Sequence, residues 1–305
     1  MSVSVLSQRV REFAVRELIS PAGWGRLDEI VEQWLKRHEK QWHAYTDVLP
    51  CLTCEAAGGA ANDAIPVAGY WLFYFYASKV FDSVQDKDET DRPWMTAGPE
   101  QAISLGLSLI TAGNISLSYL EDIDASRDIS RLFNRTWMMA AKSQTESQSN
   151  LSLDCYFENI IASTGEIFAA AAWAGARVAT ADPSMLRAFR QYGQFAGTRL
   201  AILSDCHGLK MDDPAKPSDV QVGTYKLPVI YAMSLEDNPY RAELSNLLTG
   251  AHITREETAR VLSILDELRA VEWSLSFADL YAHKAIEALN GFEPALTNPL
   301  IAYVS

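Results

Sequence analysis

Two carboxylates end a strongly apolar segment of the chain. Residues 70–81 contain neither glycine nor proline and are mostly aromatic or aliphatic, and Asp82 and Asp86 follow them. Side chains four residues apart project from the same face of a helix, so both carboxylates would point in one direction. Paired carboxylate oxygens can bind a hard divalent cation such as Mg²⁺. A buried helix whose polar end emerges into water explains this pattern equally well.

A second oxygen-rich stretch lies far along the chain. Ser204 and Asp212 are eight residues apart and would share a helix face, with Asp205 offset by one position, and Lys216 follows. The segment around Lys216 is rich in Gly, Pro and Asp, which predicts a loop. Oxygen ligands followed by a lysine would suit a metal-bound diphosphate, because lysine neutralises phosphate as a point charge. Taken alone, the stretch is more simply interpreted as a solvated helix end and a charged loop.

Helical periodicity extends over nearly the whole chain. The apolar residues of segment 27–35 recur at helical spacing, and Thr254 and Glu257 form a capping box before another apolar helix. We find no run that alternates with a period of two, no internal repeat and no linker. The sequence therefore predicts a single all-α domain over residues 1–305.

Composition and charge exclude several classes of partner. The chain has 305 residues and is 48% hydrophobic, which is enough for one large core. A net charge of −13 argues against a nucleic acid or an anionic membrane surface as the main partner. The longest apolar run contains Lys79, so we predict no membrane span. Four cysteines and no signal peptide predict a cytoplasmic protein.

Several short motifs follow one another along the chain. They are FDSVQD at 81–86, SQ at 143–144, ASTG at 162–165, SDCHG at 204–208 and DVQVGTYKLP at 219–228. In order and spacing they resemble the HDDxxD motif, the Gly-Gln element, the Lys-Thr helix, the second aspartate-rich motif and the DLxxGKxTLP element of the trans-prenyltransferase (polyprenyl synthetase) family. The resemblance to these class I isoprenoid-diphosphate enzymes runs from about residue 50 to the end. It implies an isoprenoid-synthase helical bundle around a central cavity, assembled as a homodimer.

The resemblance also implies which residues would bind a prenyl diphosphate substrate and its Mg²⁺ cofactor. Asp82 and Asp86 would be catalytic, because they would bind the metal that drives ionisation. The full set of metal ligands would be Asp82, Asp86, Ser204, Asp205 and Asp212. The diphosphate would be bound near the same opening by Arg92, Gln144, Thr164 and Lys216.

The helix before Asp82 is predicted to line the hydrocarbon pocket, because in the resembling family the side chains below the first motif limit how deep the tail extends. Ala77 and Ser78 are small and would let the tail pass. Tyr74 and Trp71 are bulky and would form a floor one or two turns lower. Each turn spans 5.4 Å, roughly one extended isoprene unit. We therefore expect a C15 or C20 all-trans diphosphate.

Departures from the family pattern restrict the expected reaction. Chain-elongating members bind isopentenyl diphosphate through a Gly-Lys-Arg cluster, where residues 44–50 here read AYTDVLP without a basic residue. They also carry paired arginines after the first motif, where residues 87–94 contain only Arg92. Each lost charge-assisted contact is worth roughly 1.5–3 kcal/mol. We therefore predict ionisation of an allylic diphosphate without isopentenyl condensation.

Three outcomes of this chemistry remain open. Terpene cyclisation is favoured, because residues 204–212 look like a degraded form of the terpene synthases' second metal motif, (N/D)Dxx(S/T)xxxE. Transfer to another acceptor, such as a peptide tryptophan, would resemble the family branch that prenylates a pheromone peptide. A weak or regulatory subunit of a heteromeric prenyl diphosphate synthase would explain why Ser83, Ser163 and Ser204 replace family ligands.

Overall fold

The computed structural model describes residues 2–38, 46–86, 92–96, 98–146, 152–209, 220, 225–248 and 253–305, without the side chains of residues 36–38, 86 and 143–146. The α-helices are α1 Val3–Phe13, α2 Gly25–His38, α3 Leu49–Ala56, α4 Ile65–Asp86, α5 Pro99–Leu117, α6 Ile123–Glu146, α7 Leu153–Ile160, α8 Glu166–Ala179, α9 Pro183–Gly208, α10 Leu227–Ser234, α11 Arg241–Leu247, α12 Arg255–Glu267, α13 Ala270–Ala288 and α14 Pro294–Val304.

The all-α prediction is confirmed, since the described residues contain helices and turns but no strand. The capping box is also confirmed: Thr254 Oγ1 accepts a hydrogen bond from Glu257 N at 3.2 Å, and Glu257 Oε2 accepts one from Thr254 N at 2.7 Å. None of the helices in the described ranges combines the length and apolarity needed to cross a lipid bilayer. The single domain over residues 1–305 stays a prediction.

Residues 67–74 of helix α4 are all buried, which explains why this part of the helix is apolar on every side. Trp71 is fully buried, and its Nε1–H donates a hydrogen bond to the carbonyl oxygen of Thr46 at 2.8 Å. Its ring meets Phe168 of α8 with centroids 5.1 Å apart and Phe133 of α6 with centroids 6.4 Å apart. These contacts join α4, α6 and α8 in one aromatic core.

Small residues bring α8 close to its neighbours α3 and α9. A Cβ atom added at Gly175 would lie 2.0 Å from the carbonyl oxygen of Pro50 in α3. A Cβ atom at Gly193 of α9 would lie 2.4 Å from the carbonyl oxygen of Phe168. Because neither carbonyl group can move freely, both positions require glycine. This close packing holds α8 between α3 and α9.

Candidate active site

The directions of the helices bring several predicted site residues to one end of the bundle. Tyr70 of α4 packs on Phe133 of α6, and further along both helices Phe81 packs on Trp137. The two helices therefore run in the same direction, so their carboxyl-terminal ends lie at the same end. Gln144, near the end of α6, thus lies at the end of the bundle that contains Asp82.

The other predicted residues approach this end through α7, α8 and α9. Gly165 lies beside Thr198, and Tyr156 of α7 contacts Asp205, so the segment from α7 into α8 runs antiparallel to α9. Thr164 belongs to a π-helical turn, Ile161–Gly165, between α7 and α8. The turn lies beside the second half of α9, closer to its carboxyl-terminal end.

Asp82 is the acid of the first motif whose side chain is described, and it is partly exposed. Its side chain is 37% exposed, and its Oδ2 lies 3.7 Å from Nζ of Lys79, one turn earlier. Asp86 is the last residue of α4, and its side chain lies outside the described part of the chain. Because the helix continues without a break, Asp82 and Asp86 share the face that their spacing predicts.

Ser83 stands where the family pattern has an acid, and it has a structural role. Its buried Oγ donates a hydrogen bond to the Lys79 carbonyl oxygen at 3.0 Å and accepts one from Trp94 Nε1 at 3.2 Å. Trp94 in turn stacks on Trp34, with ring centroids 4.2 Å apart. Ser83 therefore helps to hold Trp94 against the bundle. The guanidinium of Arg92 lies over the Trp94 ring, 5.7 Å from its centroid.

The two residues of the second motif differ sharply in exposure. Ser204 is exposed, whereas Asp205 is only 7% exposed. Asp205 Oδ2 accepts hydrogen bonds from the hydroxyl of Tyr156 at 2.6 Å and from the backbone N–H of Leu227 at 3.2 Å. Its Oδ1 lies 3.6 Å from Nζ of Lys226. Asp205 thus ties α9 to α7 and to the start of α10.

Burial and the neighbouring Asp205 carboxylate raise the pKa of Tyr156 well above its ordinary value. The phenol therefore remains a hydrogen-bond donor to Asp205 over the physiological pH range. Sequence reasoning missed Tyr156, because no spacing rule relates a tyrosine to an aspartate 49 residues away. Asp212 and Lys216 lie outside the described residues.

The described donors near this end of the bundle are mainly oxygen atoms, which fit Mg²⁺ rather than a soft metal. Ser204 is exposed and the Asp82 side chain is partly exposed, and Asp86 belongs to the same helix face as Asp82. Among the residues whose side chains are described, no three His, Cys, Asp or Glu residues are grouped to hold an ion. A complete site would therefore have to include an acid whose side chain is not described, such as Asp86 or Asp212, a main-chain or hydroxyl oxygen, or the substrate itself.

The residues predicted to line the hydrocarbon pocket lie on the buried side of α4. Trp71, Tyr74 and Ala77 are buried, and Ser78 is partly buried with its hydroxyl donating to the carbonyl oxygen of Phe75 at 2.7 Å. The hydroxyl of Tyr74 donates to Asn134 Oδ1 at 3.3 Å. The Tyr74 ring is therefore fixed between α4 and α6, and we still expect it to form the floor.

The segment before α3 contains a buried ion pair. Thr46, Asp47 and Leu49 are all buried, and Asp47 is completely inaccessible. Asp47 Oδ2 accepts hydrogen bonds from Arg11 Nε at 2.9 Å and from Ser7 Oγ at 2.7 Å. Burial raises the pKa of the Asp47 carboxyl group, although Arg11 acts in the opposite direction. Residues 44–50 contain no basic residue, and the acid in this segment, Asp47, is buried inside the protein.

Residues 26–265 match the model of the Polyprenyl synthetase family. The chain belongs to the polyprenyl synthetase family. Membership confirms the predicted family and the prediction that the protein is an enzyme. Octaprenyl diphosphate synthase from Haemophilus influenzae is 23% identical over 255 residues, covering 79% of this chain and 76% of the relative. Geranylfarnesyl diphosphate synthase from Aeropyrum pernix is 24% identical over 283 residues, covering 84% of this chain and 87% of the relative.

Solved structures of family members have the same fold. Geranylgeranyl pyrophosphate synthase from Corynebacterium glutamicum, complexed with calcium and isoprenyl diphosphate, aligns with a TM-score of 0.76 and 23% identity over 99% of this chain and 95% of that chain. Polyprenyl synthase from Caulobacter crescentus, in complex with the same two ligands, aligns with a TM-score of 0.78 and 23% identity over 99% and 96% of the two chains. These alignments confirm the predicted isoprenoid-synthase fold.

We expect Arg11→Met to lower the free energy of unfolding by about 3–5 kcal/mol, because Asp47 would remain buried without its cation. The double variant Arg11→Met/Asp47→Leu should recover at least half of this loss, since it removes the buried charge as well. Urea denaturation measures both effects. Arg16→Met is the control, because the Arg16 side chain is 78% exposed and its ion-pair partner among the described residues is its neighbour Glu17. Equal losses for Arg11→Met and Arg16→Met would contradict the structural role of the ion pair.

Proposed function

We propose that this protein catalyses Mg²⁺-dependent ionisation of a C15 or C20 all-trans prenyl diphosphate without isopentenyl condensation, and that it is a terpene synthase. Its relatives are named as synthases of prenyl diphosphates, and two solved family members contain calcium with isoprenyl diphosphate. The comparisons therefore support prenyl diphosphate chemistry. The relatives' names are those of chain-elongating enzymes, so the absence of elongation is inferred from this chain's own residues.

The buried Arg11–Asp47 pair is the observation that carries the proposal. A second diphosphate could bind beside α3 only if cations were available to neutralise it. Residues 44–50 stand where the resembling family has its Gly-Lys-Arg cluster, and Thr46, Asp47 and Leu49 within this segment are buried. Arg11 is already bonded to Asp47, and its side chain is only 9% exposed. An isopentenyl diphosphate at this position would meet an acid instead of an available cation.

The remaining residues suit ionisation of a single diphosphate. Asp82 and Asp86 would hold Mg²⁺, together with Ser204, Asp205 and Asp212. When bound, the metal would stabilise the charge that develops on the departing diphosphate. Further contacts to the diphosphate would come from Arg92, Gln144, Thr164 and Lys216. With no second diphosphate present, the allylic cation would react with its own double bonds.

The aromatic core would guide that internal reaction. Trp71 and Tyr74 present ring faces inside the bundle, and ring faces attract cations through their quadrupole. The rings also exclude water, which would otherwise trap the cation as an alcohol. A buried, aromatic interior supports cyclisation as the outcome of ionisation.

A weak or regulatory subunit is the second candidate, and the hydrogen bonds of two motif residues favour it. Ser83 is bonded to Lys79 and Trp94, and Asp205 to Tyr156 and Leu227. Both motif positions therefore serve the fold. One relative is named as a component of a synthase: component 2 of heptaprenyl diphosphate synthase from Geobacillus stearothermophilus is 28% identical over 144 residues, covering 46% of this chain and 43% of the relative.

We propose that the protein is a cytoplasmic homodimer that associates through α5. Ile103 and Leu107 lie one turn apart on this helix and are 42% and 57% exposed. Adjacent exposed apolar side chains on one helix face suit a protein contact. We expect the dimer mass in sedimentation velocity and a shift to monomer in Leu107→Glu. A monomeric wild-type protein would contradict the proposal.

With Mg²⁺ and farnesyl or geranylgeranyl diphosphate alone, the purified protein should release pyrophosphate and form a cyclic hydrocarbon. Asp82→Asn should lower turnover at least about 100-fold, because it weakens metal binding at the point where charge develops. Asp124→Asn is the control, since its side chain is 81% exposed on a different helix. Release that requires an added acceptor would favour transfer over cyclisation. No release under any condition would favour the regulatory subunit and contradict the proposal.

Substrate length should depend on Tyr74. We expect Tyr74→Ala to extend the preferred chain by about one isoprene unit, because it removes the floor one turn below Ala77. Competition between C10, C15, C20 and C25 diphosphates measures the preference, and circular dichroism checks the fold. Tyr119→Ala is the control, since Tyr119 is 45% exposed. A wild-type preference for geranyl diphosphate, or an unchanged preference in Tyr74→Ala, would rule out this floor.

A further inference from the structure

A cavity of about 530 Å³ lies between α6, α8 and α9, within the size range of small-molecule sites. We name it the outer groove. Its lining includes Leu132, Arg135, Met139, Lys142, Glu166 and Arg190. The lining residues that belong to α6 recur at intervals of three or four residues, so they form one stripe along that helix.

The outer groove is separate from the candidate active site. Phe168 of α8 points inward to the α4 ring of Trp71. Glu166, two residues earlier on the same helix, is turned by about 200° and faces the opposite side. Along α9, Arg190 precedes Ser204 by 14 residues, or about 21 Å at 1.5 Å per residue. A ligand in the groove would therefore not contact the second motif.

The groove concentrates positive charge in an acidic protein. Arg135, Lys142 and Arg190 face a single acid, Glu166, while the whole chain has a net charge of −13. Glu166 is already paired with Arg190 and accepts a hydrogen bond from Gln194 Nε2 at 2.5 Å. Arg135 makes no hydrogen bond or ion pair with another described residue. Since Arg190 is paired with Glu166, the Arg135 guanidinium is available to a ligand.

The surface between these cations is apolar. Leu132 and Met139 lie on the same stripe as Arg135 and Lys142, and Met139 is 60% exposed. An unbranched methionine can adjust its shape to different apolar groups. An apolar base with cations along its length suits a ligand that is itself part anion and part hydrocarbon.

We propose that the outer groove binds an amphipathic anion, namely a short apolar chain that ends in a phosphate or diphosphate. The planar guanidinium of Arg135 would bind the phosphoryl oxygens in a bidentate manner, and Lys142 would add a point charge. Leu132 and Met139 would cover the hydrocarbon. Because the groove lies outside the candidate active site, this ligand would bind in addition to the substrate. The proposal that the outer groove binds such a ligand does not depend on which reaction the protein catalyses.

Calorimetric titration of the full-length protein with octyl phosphate tests the proposal. EDTA is present throughout, so that metal-dependent binding at the active site does not contribute. We expect saturable binding that Arg135→Gln weakens about tenfold or more, since a charge-assisted contact is lost. Arg127→Gln is the matched control, because Arg127 lies on the same helix with its side chain 71% exposed and does not line the groove. It should change the affinity by less than about twofold.

Two further probes test the amphipathic character of the ligand. Octanol and inorganic phosphate should each bind more weakly than octyl phosphate, because each lacks one half of the ligand. Equal affinity for inorganic phosphate and octyl phosphate would overturn the proposal in favour of a simple anion site. Undetectable binding of octyl phosphate, or equal weakening by Arg135→Gln and Arg127→Gln, would also overturn it. So would a change of sedimentation in Arg135→Gln without a change in binding, which would make the groove a contact with a second copy.

Discussion

A carboxylate without access to water requires a cation, and Asp47 has Arg11 as its partner. This single contact connects α1 to the turn before α3, and the carbonyl group of the preceding residue, Thr46, accepts the hydrogen bond of Trp71 in α4. The first helix, the start of α3 and the central helix are therefore held together around one buried polar group. In the proposed function the same contact also limits the reaction to one diphosphate, because Arg11 would not be available to a second one.

Asp205, in the second motif, is likewise a buried polar residue that joins separate parts of the chain. A residue predicted to bind metal holds three parts of the chain together: α9, Tyr156 of α7 and the start of α10. Ser83 does the same for Trp94 after α4. In each case a hydrogen bond within the protein occupies a motif position. The acids that remain exposed are therefore the stronger candidates for metal binding, and Asp82 is the one whose side chain is described.

Periodicity was sufficient to predict the helical architecture and the burial of α4, because apolar spacing is a local property of the chain. Short-range geometry also predicted the shared face of Asp82 and Asp86 and the capping box at Thr254. The partner of Asp47 could not be predicted, since Arg11 lies 36 residues away and a salt bridge requires no particular separation along the chain. The outer groove was missed for a related reason: its residues come from three helices, and α6 alone looks like an ordinary solvated surface.

The central claim is that the protein processes one prenyl diphosphate at a time. Isotopically labelled isopentenyl diphosphate tests it most directly, supplied with unlabelled farnesyl diphosphate and Mg²⁺ while pyrophosphate release is followed in the same sample. The account predicts pyrophosphate release with no label in any longer prenyl chain. Labelled geranylgeranyl diphosphate, formed at a rate comparable to pyrophosphate release, would contradict it.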